Sequence, residues 1–149
     1  LVRTRRREGG RLLADLRRQL QMITQQLRQI RTRLPKALKQ QQAVLRARLQ
    51  ELLGPQASRT MGQLEEAVAL VKEVDVHEEL VRLDSHLVHI RQTLAAGVLV
   101  GKRLDFIAQE LTREANTLGA KVNDPDAARH VIAIKGCIER IREQVQNLE

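Results

Sequence analysis

Seven aliphatic residues near the beginning of the chain are separated by alternating spacings of three and four positions. They are Leu13, Leu16, Leu20, Ile23, Leu27, Ile30 and Leu34. Because an α-helix has about 3.6 residues per turn, this spacing places all of them on one stripe of a helix, as in a coiled-coil seam. An aliphatic row of this length needs a second helix to cover it. The pattern therefore predicts an all-α chain of long helices packed side by side.

The first helix is expected within a basic segment that comprises residues 1–53. Pro35 lies in its middle and lacks a backbone hydrogen-bond donor, so the helix must kink there or restart. Further leucines continue the apolar face until Gly54 and Pro55, which favour a helix end. We expect one long bent helix or two in a row, about 65 Å long in total.

Residues 54–62 contain Gly, Pro and Ser and predict a linker, and residues 63–149 predict a second, helical domain. A short helix is expected over residues 63–72. Two further aliphatic seams and one apolar face follow. Their members are Leu80, Leu83, Leu87, Ile90 and Leu94, then Leu104, Ile107, Leu111 and Leu118, then Val131, Ile134, Ile138, Ile141, Val145 and Leu148. The predicted fold is a coiled-coil-like helical bundle that forms an oligomer.

Capping residues predict where the shorter helices begin and end. Asp75, with a Glu three positions later, forms a capping-box pattern that indicates a helix start. Gly119 is expected to end the next helix. Asp124 and Pro125 form an N-cap and first-turn pair that indicates the start of the last helix.

The composition narrows the class of protein further. The chain has no Trp, no Tyr and only one Phe, Phe106, which agrees with aliphatic helix packing. No run of about 18 apolar residues occurs, so we expect no membrane segment. The single Cys137 cannot form an internal disulfide, which is typical of a protein in the reducing cytoplasm.

Charge is distributed unevenly along the chain. Residues 1–50 contain 14 Lys or Arg and 2 Asp or Glu, whereas residues 51–149 contain 12 and 16. The basic part is suited to a polyanion such as RNA. It is equally suited to packing against the acidic part of its own or another subunit, or to lying solvated on the surface.

A first polar row lies beside the second seam, at positions i, i+3, i+7 and i+10. It consists of Glu79, Arg82, His86 and His89. Glu79 and His86 could bind a divalent metal, and His86 could transfer a proton near neutral pH. The alternative is an ion pair between Glu79 and Arg82 together with a solvated histidine.

A second polar row lies on the following helix. It consists of Asp105, Gln109, Thr112 and Asn116, flanked by Glu110, Arg113, Glu114 and Lys121. Carboxylates are the natural ligands of Mg²⁺ or Mn²⁺, and two carboxylate-bearing helices that face each other could form such a site. The alternative is a set of pairs along one helix, such as Glu110 with Arg113.

Three segments carry a resemblance to a known family. They are DVHEELVRLDSHL, GKRLDFIAQELTREANTLGAK and IERIREQVQNLE, and they resemble the C-terminal region of the YicC/YloC family of bacterial proteins. The resemblance implies a cytoplasmic, stress-associated endoribonuclease that uses a divalent metal, takes part in small-RNA turnover and assembles as a hexamer. The family has an N-terminal α/β domain before these helices, and we expect that domain to be absent from this sequence.

The resemblance also implies which residues form the site. The motif covers Asp75, Glu78, Glu79, Arg82, Ser85, His86, Gly101, Leu104, Asp105, Phe106, Gln109, Glu110, Arg113, Glu114, Asn116 and Lys121. Thr112 stands where the family usually has Asn, and Ala120 stands where Ser is common.

From their side-chain chemistry, we assign expected roles to these residues. The expected ligands of Mn²⁺ or Mg²⁺ are Glu79, His86, Asp105, Glu110 and Glu114. Three of these, His86, Glu110 and Glu114, are the expected catalytic residues. The expected RNA contacts are Arg82, Arg103, Gln109, Arg113, Asn116 and Lys121.

Two other functions remain open at this point. One is a non-catalytic RNA-binding and oligomerisation module, in which residues 1–50 hold RNA by charge and the motif helices build the oligomer. The other is a structural scaffold, in which the polar rows are packing networks.

Overall fold

The computed structural model describes residues 2–55, 58–97 and 101–148. These ranges contain four α-helices and no strand. The helices are α1 (Val2–Leu53), α2 (Ser58–Ala95), α3 (Gly101–Lys121) and α4 (Pro125–Gln146). The all-α prediction is therefore confirmed. None of the helices in these ranges combines the length and the apolar character that a bilayer crossing requires.

The helix α1 continues without a break through Pro35. Its 52 residues correspond to a rod of about 78 Å. Of the two arrangements that the sequence allows, one continuous helix is thus the one observed. It ends where Gly54 adopts a φ of 70°, a conformation that glycine reaches without steric cost. The amide of Gly54 donates to the carbonyl of Gln50 at 3.1 Å.

The observed bounds of α2 differ from the prediction at the linker and at Asp75. A single helix runs from Ser58 through Asp75 to Ala95, so the predicted helix start at Asp75 is wrong. No Gly or Pro occurs between Gly62 and Gly97, and nothing in the backbone therefore interrupts the helix. The predicted linker over residues 54–62 overlaps this helix from Ser58 onwards.

In the connection between α3 and α4, the predicted start of α4 is confirmed, whereas the predicted end of α3 is not. Asp124 caps α4, and its side chain accepts a hydrogen bond from the amide of Ala127 at 3.0 Å. However, α3 continues past Gly119 to Lys121, so the predicted end at Gly119 is wrong. A Cβ atom at Gly119 would lie 3.3 Å from Cγ1 of Val131. The glycine therefore permits α3 and α4 to pack closely.

The four helices form a bundle in which each helix contacts two neighbours. The contacting pairs are α1 with α2, α2 with α3, α3 with α4, and α4 with α1. Over the described ranges, the diagonal pairs α1–α3 and α2–α4 make no close backbone contact. The aliphatic seams meet in the middle, where Ile23, Leu83 and Leu111 are fully buried. The helix α3 thus lies diagonally opposite α1.

The helices α1 and α2 extend past this core as a two-helix arm, which we define as residues 40–53 and 58–70. The core ends on α1 near Ile30 and on α2 near Val76. Within the arm, Nε of Arg46 lies 3.2 Å from Oε2 of the buried Glu65. The arm has two helices in cross-section where the core has four.

One ion pair joins the middle of α1 to the start of α4. Nε and an Nη atom of Arg33 donate to the two carboxylate oxygens of Asp124 at 2.9 and 3.1 Å. Asp124 is only 5% exposed, so this bidentate pair is largely shielded from water. The bond from Arg33 lowers the pKa of Asp124 despite its burial.

We predict that Asp124→Ala destabilises the protein more than Asp126→Ala. The first change removes the helix cap, which costs about 0.5–2 kcal/mol, and also leaves Arg33 without its bidentate partner. The free energy of unfolding in urea, measured near pH 7, tests this. Asp124→Asn keeps the cap acceptor and should fall between the two. An equal cost for Asp126→Ala, whose side chain is half exposed, would contradict the assignment.

Candidate active site between α2 and α3

The candidate residues on α2 and α3 each precede a core residue by one position. His86 precedes Leu87 on α2, and Glu110 precedes Leu111 on α3. Such residues lie on the flank of a helix, just beside its buried stripe. Contacts at the two ends of α3, described below, show that α2 and α3 are antiparallel. In that orientation the two flanks meet on the same side of the helix pair.

The side chains of His86, Glu110 and Glu114 form a cluster on this side. One ligand atom from each residue lies within 4.8 Å of the others. Nε2 of His86 lies 4.0 Å from Oε1 of Glu114. Glu114 is 7% exposed, whereas the other two residues are partly exposed. The cluster therefore has a buried floor and an open side.

A second buried carboxylate, Glu79, lies beside Glu114. Glu79 is 1% exposed, and Nζ of Lys121 donates to its Oε1 at 2.8 Å. An Nη atom of Arg82 lies 3.9 Å from the same oxygen. Oε2 of Glu79 is buried without a hydrogen-bond partner. The carboxyl groups of Glu79 and Glu114 are thus held next to each other.

The proximity of the two carboxyl groups separates their pKa values. Burial raises the pKa of Glu114, and the adjacent Glu79 raises it further, to about 7. Burial also disfavours ionised Glu79, but the Glu114 carboxyl and the cations Lys121 and Arg82 outweigh it and lower the pKa of Glu79. The hydrogen bond to Glu79 also raises the pKa of Lys121. Of the two carboxyl groups, Glu79 is therefore the one that ionises first, and Glu114 is the one that retains its proton to higher pH.

Cations lie at both ends of the cluster. At one end, Lys121 and Arg82 contact Glu79, and Arg82 also lies 2.5 Å from Glu78. At the other end, Arg103 of α3 donates to Nε2 of His89 on α2 at 3.2 Å. The C-terminal end of α3 thus lies near Glu79 of α2. Its N-terminal end lies near His89, which comes later in α2. The furrow between the packed helices α2 and α3, which we call the groove, therefore has carboxylates in its middle and cations at its ends.

Asp105 and Gln109 lie on the other flank of α3. Each of them follows a core residue by one position, so they face α4 rather than α2. Oδ2 of Asp105 accepts from Gln109 at 2.9 Å, and Oδ1 lies 3.8 Å from Nε of Arg142 on α4. The structure does not bring either side chain to the cluster of His86, Glu110 and Glu114.

The remaining predicted RNA contacts, Arg113 and Asn116, are exposed on α3. Arg113 is close enough for its charge to act on Glu114, where it opposes the increase in pKa that burial causes. Asn116 follows Ala115 and therefore lies on the flank toward α4.

The sequence patterns indicate no role in the site for His89 or Arg142. His89 was visible in the first polar row, but its partner Arg103 is on another helix and no spacing along one helix reveals such a pair. Arg142 lies on α4, outside both polar rows. In the structure it is partly buried against Asp105.

The cluster fits a divalent metal by its donor chemistry and its spacing. Ligand atoms at about 2.0–2.2 Å from one ion stand at most about 4.4 Å apart, so small side-chain rotations would close the gap from 4.8 Å. Two carboxylates suit Mg²⁺ or Mn²⁺, and the imidazole of His86 shifts the preference toward a transition metal such as Mn²⁺. A cation would also relieve the repulsion between Glu79 and Glu114.

The chain is similar to proteins that are described as endoribonucleases. Residues 30–149 match the family model described as "Endoribonuclease YicC-like, C-terminal", which includes all of the cluster. A "Probable endoribonuclease YicC" of Haemophilus influenzae (strain ATCC 51907 / DSM 11121 / KW20 / Rd) is 35% identical over 151 residues, covering 99% of this chain and 51% of that protein.

A second relative has a similar relationship to the chain. The "Probable endoribonuclease YicC" of Clostridioides difficile (strain 630) is 30% identical over 146 residues, covering 97% of this chain and 50% of that protein. The chain thus spans about half the length of the curated relatives it matches.

We predict that Glu114→Gln changes how stability depends on pH in metal-free buffer with EDTA. In the unfolded chain the carboxyl loses its proton near its ordinary pKa of 4.5, and in the folded chain near 7. Between these values the folded state binds the extra proton, so its stability falls as pH rises, by about 1.4 kcal/mol per pKa unit. Glutamine keeps a neutral hydrogen-bonding group and removes this fall.

Urea unfolding at pH 5 and pH 8 measures the effect. The variant should lose less stability than the parent protein on going from pH 5 to pH 8. Glu110→Gln, on the exposed side of the cluster, is the matched control and should retain the parent's dependence. The same pH dependence in Glu114→Gln and the parent would refute the assignment of the raised pKa.

Proposed function

Because this chain belongs to the family of YicC-like endoribonucleases, we propose that it forms the catalytic C-terminal part of an enzyme that cleaves RNA phosphodiester bonds. The observation that carries the proposal is the convergence of His86, Glu110 and Glu114 at the partly exposed surface between α2 and α3. Glu110 and Glu114 are neighbours along α3, but His86 lies on α2, so no spacing along one helix explains why it joins them.

The proposed metal ligands are His86, Glu110 and Glu114, with Glu79 behind them. When bound there, a divalent ion such as Mn²⁺ would supply a water of lowered pKa and stabilise charge on the leaving oxygen. Asp105 is left out of this set because it is paired with Gln109 and lies against Arg142 of α4. Glu79 is held beside Glu114, at the buried side of the cluster, by its contacts to Lys121 and Arg82.

The chain's own residues would hold the substrate and move protons. Arg103 and Arg113 are exposed beside the groove and are the cations best placed to contact RNA phosphates. Glu114, with a pKa of about 7, can hold or release a proton at neutral pH. His86 faces the open side of the cluster and is the alternative proton carrier if cleavage proves independent of metal.

The cellular setting rests on the family resemblance alone. We propose that the complete protein acts in the cytoplasm, in small-RNA turnover under stress, and that it assembles as a hexamer. The second candidate is a non-catalytic RNA-binding and oligomerisation module. It is favoured by one observation, which is that the span between Asp15 and Glu51 contains nine Lys or Arg and no Asp or Glu.

We predict that Glu110→Gln lowers cleavage of a labelled stem-loop RNA on the order of 100-fold, the usual scale for damage to a metal site. The reaction is run with Mn²⁺, with Mg²⁺ and with EDTA. We expect cleavage with Mn²⁺, weaker cleavage with Mg²⁺ and none with EDTA. Glu143→Gln, an exposed carboxylate on α4, is the matched control and should retain full activity.

Calorimetric titration with Mn²⁺ in the absence of RNA separates metal binding from chemistry. Glu110→Gln should weaken Mn²⁺ binding, whereas Glu143→Gln should not. Cleavage that persists in EDTA would exclude the metal role and leave His86 as the candidate acid or base. RNA binding without cleavage by the parent protein, with a full-length relative active in the same assay, would support the non-catalytic module instead.

A further inference from the structure

Between Asp15 and Glu51, the outward face of α1 carries many cations and no carboxylates. Between Asp15 and Glu51 the sequence contains nine Lys or Arg and no Asp or Glu. The apolar seam of α1 faces the core, so most of these cations are directed to solvent. A solvated helix normally alternates charges of opposite sign, which makes this span unusual.

The exposed cations are arranged in rows along the helix. Arg17, Arg28 and Lys39 follow one another at intervals of 11 residues, and all of them are exposed. Eleven residues are close to three helical turns, so the three lie on one line about 33 Å long. A parallel row contains Arg11, Arg18 and Lys36, and three exposed glutamines lie between the rows. These are Gln21, Gln25 and Gln29.

Three cations of α1 are paired with carboxylates, but those of the first row are not. Arg31 pairs with Asp84, Arg33 with Asp124, and Arg46 with Glu65. In the part of the chain that the structure describes, no carboxylate lies within 4.0 Å of the first row. Repulsion among these like charges disfavours the bare surface, and a bound polyanion would relieve it.

This face lies away from the groove between α2 and α3. The helix α1 contacts α2 and α4 but not α3 in the described ranges, so its outer face is directed away from α3. Packed helix axes are about 8–10 Å apart, which places the outer face of α1 roughly 20 Å from the groove. A short RNA cannot contact both.

We propose that the outer face of α1 is a docking surface for the RNA backbone, separate from the groove in which cleavage takes place. Lys and Arg would neutralise phosphates, and the glutamines would bond to sugar hydroxyls or phosphates. The near absence of aromatic residues excludes base stacking as the means of recognition, so the surface binds RNA independently of sequence. The inference rests on the proposed function in one respect, which is that RNA is the ligand.

The test compares two variants that lose the same charge. One is the triple variant Arg17→Gln, Arg28→Gln, Lys39→Gln. The matched control changes three exposed lysines on other helices and consists of Lys72→Gln, Lys102→Gln and Lys135→Gln. Thermal unfolding confirms that both variants fold. Fluorescence anisotropy then measures their affinity for a labelled stem-loop RNA longer than about 33 Å, in EDTA and over a range of KCl concentrations.

The α1 variant should bind at least about tenfold more weakly, and the slope of log affinity against log salt should fall by roughly 2 to 3, as expected for three lost phosphate contacts. The control should retain the parent's slope. Equal losses in both variants would overturn the proposal, because binding would then depend on net charge alone. Unchanged RNA binding with altered sedimentation of the α1 variant would also overturn it, and would assign this face to a second copy of the chain.

The binding assay contains EDTA and does not depend on cleavage, so the two proposals can fail separately. Weaker binding by the α1 variant without any cleavage by the parent would uphold the docking surface and refute the proposed activity. Where cleavage occurs, a trinucleotide should be cut equally by the α1 variant and the parent, since it cannot span both sites. A selective loss on the trinucleotide would place α1 within the catalytic groove and overturn the inference.

Discussion

The aliphatic contact between α2 and α3 fixes the position of every polar group in the groove. Leu87 of α2 and Leu111 of α3 are fully buried, and their burial determines how each helix is rotated about its axis. The residue before each of them is then forced to the rim, where His86 and Glu110 meet. The site is in this sense a by-product of hydrophobic packing, because the helices cannot rotate to separate these side chains without exposing the core.

The positions that flank the core could have been predicted more fully from sequence. The cluster of His86, Glu110 and Glu114 lies within the set of residues that the sequence and the family resemblance indicated. Asp105 was grouped with them because it is a carboxylate on the same helix, yet it follows its core residue and lies on the opposite flank. Asking whether each polar residue precedes or follows its neighbouring core residue, rather than using spacing alone, would have separated Asp105 from the others.

Some features depend on partners that a single sequence does not show. The N-cap at Asp124 was predictable because its signal is local. The predicted helix start at Asp75 failed because a good capping sequence has no effect where the preceding residues are already helical and packed against α1. Likewise, the raised pKa of Glu114 depends on Glu79 of another helix, and no periodicity along α3 indicates that neighbour.

Because the helices differ in length, the molecule consists of a four-helix core and a two-helix arm that differ in local stability. The 21 residues of α3 span about 32 Å, whereas the 52 residues of α1 span about 78 Å. Beyond the reach of α3 and α4, the arm buries few side chains and leaves Leu53, Leu64 and Leu70 largely exposed. Its backbone hydrogen bonds are therefore protected by much less of the free energy of folding. Amide hydrogens in the arm should exchange with solvent by local opening, while those near the cluster should exchange only when the four-helix core unfolds.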